Sequence, residues 1–144
     1  MPVLLPLLLM LDPASQACPT PAAPPPGFAD WAMPGNRPGI GQRFDVAGAL
    51  AVVGETAEER ARGGRAAVIE IEVPRAGSYG VALSDGAWID MVRNGKPLAA
   101  TGHDHGPPCS GIRKIVRFTL VPGRYQLRLS GIMASSIGVM VAAV

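Results

Sequence analysis

Both histidines of the chain and one of its two cysteines fall in a single run, Thr101-Gly102-His103-Asp104-His105-Gly106-Pro107-Pro108-Cys109-Ser110. On an extended backbone alternate side chains share a side, so His103 and His105 would present two imidazoles together. Asp104 would then point away, or accept a hydrogen bond from a ring N–H. Two imidazoles are the beginning of a zinc, copper or iron site, but firm binding needs a third or fourth ligand. The candidates are Cys109 if reduced, Asp104 itself, and Asp85 and Asp90 if their hairpin folds nearby. In an oxidising compartment a thiolate ligand and a disulfide are exclusive uses of Cys109. The plainer reading is a surface loop shaped by Gly102, Gly106, Pro107 and Pro108 and stapled at Cys109, its histidines solvated and no cofactor expected. A contact that responds to pH near neutrality is a further use of two imidazoles. Beside them Ile112-Arg113-Lys114 makes a basic corner suited to an anionic group. Arg113 and Lys114, with Trp88 as an aromatic surface, are the candidate ligand-contacting residues.

Other catalytic templates are not completed. Ser78, Ser84, Ser110, Ser130, Ser135 and Ser136 lie in no Gly-x-Ser-x-Gly elbow, and no glycine loop that could cradle phosphate opens a helix. No catalytic residue is assigned, and a non-catalytic domain is the expectation.

The compartment decides how Cys109 is used. Residues 3–11 are an almost unbroken apolar run, far short of the roughly 20 residues that a membrane-spanning helix needs. Ser15-Gln16-Ala17 places small residues ahead of a cut before Cys18, the pattern of a secretory leader, although no Lys or Arg precedes the apolar run. Residues 1–17 are therefore expected to be a signal peptide, leaving a periplasmic or secreted chain with no transmembrane segment after processing. Cys18 also admits lipid anchoring, though Ser15 and Gln16 suit that processing poorly. An even cysteine count in an exported chain reads as one bridge, Cys18 to Cys109. The alternative leaves Cys109 a free thiol or metal ligand, with Cys18 acylated or lost in processing.

Composition narrows the classes further. The 144 residues suffice for one domain with a modest core, and 48% are hydrophobic, which excludes wholesale disorder. Charged residues make up 17%, and the net charge of +2 is too small and scattered for a nucleic-acid binder. Partners are expected instead to be an envelope protein or a small ligand. Aromatic residues are too few for an extended stacking platform.

The elements that must position the histidines follow from period and punctuation. Residues 18–41 carry Pro19, Pro21, Pro24, Pro25, Pro26, Pro34 and Pro38, which keep the stretch extended and deny it a sheet ladder. Trp31 is the expected anchor of this arm, with ligand stacking as its other use. Residues 42–53 hold one or two short strands. Thr56 followed by Glu59 is a capping-box pattern that Gly63 could close, at most two helical turns, and its charge run reads as a solvated face. From Arg65 the period becomes two. Strands are expected around residues 68–73, 79–83, 88–92, 96–99, 115–120, 125–129 and 137–144, with Asn94-Gly95 a type I′ hairpin turn and loops elsewhere. Short strands broken by turns every eight to twelve residues indicate a sandwich or barrel.

The succession Glu70-Ile71-Glu72-Val73-Pro74-Arg75-Ala76-Gly77-Ser78-Tyr79, then Trp88-Ile89-Asp90, then Val116-Arg117-Phe118-Thr119-Leu120-Val121-Pro122-Gly123-Arg124-Tyr125 resembles the bacterial pre-peptidase C-terminal β-sandwich. There one strand enters an Ala-Gly-x-Tyr turn and a later one a Pro-Gly-x-Tyr turn. The resemblance covers roughly residues 66–142 and implies a secreted accessory domain without chemistry of its own. The His-x-His run is also similar to the cupin signature, in which a Glu ligand follows after three or four residues; Cys109 stands there instead, and the chain has no third histidine. The Trp-Ile-Asp and His-Asp-His-Gly-Pro-Pro-Cys patterns are similar to short exported chains designated homogentisate 1,2-dioxygenase. That resemblance implies iron held by His103 and His105, although the enzyme of that name resembles a much longer two-part cupin.

The expectation is thus an all-β chain: a small antiparallel, jelly-roll-like β-sandwich over residues 42–144, preceded by a Pro-rich arm over 18–41. Its expected role is a binding or envelope accessory function through residues 102–114, with a small metal-dependent protein or oxygenase as the alternative.

Overall fold

The computed structural model describes residues 18, 20–47 and 54–144. The expected leader and any strand within residues 48–53 lie outside these. Among the described residues nine strands form two antiparallel sheets: β1 (Arg43–Ala47), β2 (Arg65–Val73), β3 (Gly77–Leu83), β4 (Trp88–Arg93), β5 (Lys96–Pro97), β6 (Gly102–His105), β7 (Lys114–Leu120), β8 (Gly123–Ile132) and β9 (Ser136–Ala143). One sheet runs β1-β9-β3-β7-β6, the other β2-β8-β4-β5. Without β6 this is the eight-strand order of a jelly roll, in which successive strands cross between layers except at the β4–β5 hairpin. β6, the histidine-bearing strand, is an addition at one edge.

Period-two sequence makes the core. Along β2, Ala67, Ile69, Ile71 and Val73 turn inward while Val68, Glu70 and Glu72 face solvent. They meet Tyr79, Val81 and Leu83 of β3, Met91 of β4, Val116, Phe118 and Leu120 of β7, Leu127 and Leu129 of β8, and Ile137, Val139 and Val141 of β9. Strands that bury one face alternate in this way because successive side chains point to opposite sides.

The turns follow their residues. Asn94 and Gly95 both take positive φ, 50° and 74°, as the β4–β5 hairpin requires. The two tyrosines that follow glycine turns close those turns themselves. Tyr79 donates its hydroxyl to the Arg75 carbonyl at 2.7 Å, and Tyr125 donates to that of Val121 at 2.8 Å.

The arm departs from the expected extended form. Phe28 and Trp31 are buried at 1% and 3% exposure, around a short 3-10 turn at Ala29–Ala32. They form a second apolar cluster with Ala82, Ile112, Ile115, Met140 and Ala142 on the outer face of the five-stranded sheet. Gly80 makes room for this: a Cβ there would lie 2.9 Å from the Phe28 ring. Single bridges join Gly35 to Phe44 and Ile40 to Val141, so proline does not exclude the arm from all pairing. Burial of two large aromatics outweighs the extended preference of the flanking prolines, each being worth roughly 1.5–3 kcal/mol.

Candidate functional site

The histidines sit on a strand, not in a loop. β6 pairs with β7 in the register Gly102↔Arg117, His103↔Val116, Asp104↔Ile115 and His105↔Lys114. Gly102 and Gly106 suggest a loop in the sequence, yet the ladder forms because Thr101 continues it, donating to the Arg117 carbonyl at 2.8 Å. His103 and His105 project to the side on which Val116 is buried, but beyond the cover of the opposite sheet, so both are exposed. Their ring centroids are 6.2 Å apart, with the planes tilted by 50°. Asp104 projects to the other side and pairs with Arg117.

The segment after β6 is held from several directions. Gly106 donates to the Arg113 carbonyl at 3.3 Å, and Arg113 donates to Leu83 at 2.8 Å. Ser110, nearly buried, donates its hydroxyl to the Pro107 carbonyl at 2.6 Å and accepts from the Ile112 N–H at 3.2 Å. Cys109 forms the disulfide with Cys18, 91 positions away, at a Cα–Cα distance of 5.6 Å. Ala22 adds a backbone bond to the Cys109 carbonyl at 3.0 Å, so the arm is tied here twice. Cys109 has φ of 64°, a left-handed conformation that an L residue adopts at a cost.

The disulfide occupies the sulfur that would have served as a third ligand. Asp90 is also elsewhere, on the outer face of the four-stranded sheet, where Arg62 holds it at 2.8 Å. Among the described residues, no group of three or more His, Cys, Asp or Glu side chains is gathered where a metal ion could sit. His103 and His105, which the dioxygenase resemblance implies as iron ligands, thus have no third such ligand gathered beside them among the described residues.

The candidate ligand-contacting residues divide. Lys114 donates to the Ala87 carbonyl at 2.6 Å, bridging β7 to the turn before β4. Burial, and then the Arg113 charge beside it, lower the Lys114 pKa from its ordinary value. Trp88 follows Ala87 but lies outward on β4, 58% exposed, with the Arg62 guanidinium 4.7 Å from its ring centroid. It thus belongs to a different surface from the imidazoles.

That other surface carries what the sequence did not reveal. The capping box forms as read, with Thr56 accepting from the Glu59 N–H at 3.1 Å, on helix α1 (Ala57–Ala61). Glu59, however, is buried beneath Arg128, with bonds of 2.6 and 3.1 Å, and Glu55 joins Arg128 at 3.1 Å. The Arg128 hydrogen bond holds Glu59 down from 4.5 to about 2 against the opposing effect of burial, with Thr56 and Glu55 backbone bonds assisting. A cleft of about 270 Å³ lies beside this pair, between α1 and the β4–β5 hairpin. Another of about 420 Å³ opens between β1 and β2. Neither is lined by His103 or His105.

No protein-family model matches the chain, and no curated protein matches it. Among solved structures it is similar to the pre-peptidase C-terminal domain of a collagenase from Bacillus anthracis. The two share 15% identity over 74% of this chain and 92% of that one, with a TM-score of 0.43. This is the domain type that the glycine–tyrosine turns of residues 70–79 and 116–125 resemble. The sandwich assignment rests on this chain's own two sheets. Among the described residues no helix is long and apolar enough to cross a membrane.

Proposed function

We propose that the chain is a non-catalytic binding or accessory domain of an exported protein, and that it contacts its partner through residues 102–114. The supporting observation is the Cys18–Cys109 bond, which clamps the segment next to an open sheet edge bearing exposed polar side chains. A disulfide of this kind persists in oxidising compartments, which favours the periplasm or the exterior. A clamped edge also loses little conformational entropy when a partner docks, so more of the contact energy appears as affinity.

Two measurements test this. Intact mass of the protein recovered from its host should show a chain starting at Cys18 with both sulfurs oxidised. An uncut leader with two alkylatable thiols would refute export. A photo-reactive residue in place of His105 should crosslink one discrete envelope component, while the same residue at Val121 should not. Equal labelling from both positions would remove residues 102–114 as the contact.

A further inference from the structure

An accessory role leaves the most specific chemistry of the edge strand unused. We propose that His103 and His105 form a two-imidazole chelate for a divalent transition-metal ion, Cu²⁺ binding tightest, with water in the remaining positions. The backbone already supplies the arrangement. Residues 103 and 105 are alternate positions of one extended strand, opposite Val116 and Lys114, so both rings leave the sheet on the same side.

The spacing fits. An ion bound at about 2.0–2.1 Å to one nitrogen of each ring, with a cis angle between them, holds the ring centroids about 5 Å apart. The observed 6.2 Å closes to that by rotation about side-chain bonds. Both rings are exposed, so this rotation displaces no packed neighbour. β6 is fixed by its ladder with β7 and by the clamped segment that follows, so chelation orders only side chains.

Charge sets the strength and the choice of ion. Asp104 is engaged by Arg117 on the opposite side and contributes no ligand. Lys114 lies across from His105, its ammonium drawn toward the Ala87 carbonyl, and Arg113 precedes it; both oppose a bound cation. Two nitrogen donors without a third protein ligand then make an exchangeable site, for which Cu²⁺ ranks above Ni²⁺ and Zn²⁺. This proposal stands apart from the accessory-domain reading, since a free ion would bind the purified protein whether or not a partner exists.

The experiment is calorimetric titration of the untagged, oxidised full chain with copper(II) chloride, paired with electron paramagnetic resonance. The expected result is one saturable Cu²⁺ per chain with two nitrogen donors. Affinity should fall at least tenfold in His103→Ala and equally in His105→Ala, and the saturable site should be lost altogether in the double variant. Asp104→Asn should bind within twofold of the parent. Melting temperatures without metal should be unchanged throughout, which separates lost ligation from lost fold. The proposal is overturned by the absence of a saturable site, by a double variant that binds like the parent, or by a tenfold loss in Asp104→Asn.

Discussion

The two sheets cover their outer faces by opposite means. On the five-stranded sheet the arm lays Phe28 and Trp31 over Ala82, Ile115 and Met140, an apolar seal with Arg43 stacked 4.5 Å from the Trp31 ring centroid. On the four-stranded sheet the cover is ionic: Glu59 and Glu55 on Arg128, and Asp90 on Arg62, with Trp88 left largely in water. A close-packed apolar cover depends on volume and is nearly indifferent to pH. A buried charge pair depends on both partners being present and ionised.

Five perturbations distinguish the two covers. Phe28→Ala should cost the most, about 4 kcal/mol in chemical denaturation, because it empties the space that Gly80 leaves for the ring. A loss under about 1 kcal/mol would mean the arm is not part of the cooperative unit. Replacing both Cys18 and Cys109 with Ser should cost about 3 kcal/mol, mainly by freeing the unfolded chain. Its effect should add to that of Phe28→Ala only in part, since both act on the arm's attachment.

On the ionic side Arg128→Ala should cost about 2–3 kcal/mol, leaving the Glu59 carboxylate buried without its partner. Adding Glu59→Gln, which keeps a capping amide, should recover about half of that loss. Acid tests the same pair. The Glu59 pKa is depressed in the fold, so its stabilisation is complete above about pH 4.5 and is lost as pH falls toward 2. The loss is at most about 3 kcal/mol, and Glu59→Gln should flatten that part of the stability profile. Trp88→Ala should matter least, under about 1 kcal/mol by thermal melting, since the indole is mostly solvated. A larger cost would show that the Arg62 stack carries the ionic cover.

The sequence was informative where a local rule decides the structure. The alternation in β2 and β8, the Asn94-Gly95 turn, the Thr56–Glu59 cap and the Cys18–Cys109 pairing all appear in the fold. It was uninformative where partners are distant. Glu59 looked like part of a solvated charge run because Arg128, its partner, lies 69 positions away. Residues 102–105 looked like a loop because glycine and proline flank them, and nothing local says that β7 has an open edge to accept four more residues. The arm's prolines predicted an extended stretch, but the burial of Phe28 and Trp31 depends on Ile115 and Met140, far along the chain.

The long-range sulfur link has a mechanical corollary. A pull applied ahead of Cys18 and resisted beyond Cys109 would pass straight through the covalent bond, bypassing everything between. The chain between the two cysteines, a separation of 91 positions, would be shielded from tension, withholding about 300 Å of extensible contour. Only β7, β8 and β9 would carry the load, so a reducing agent should lengthen the unravelling step several-fold in a single-molecule stretching trace.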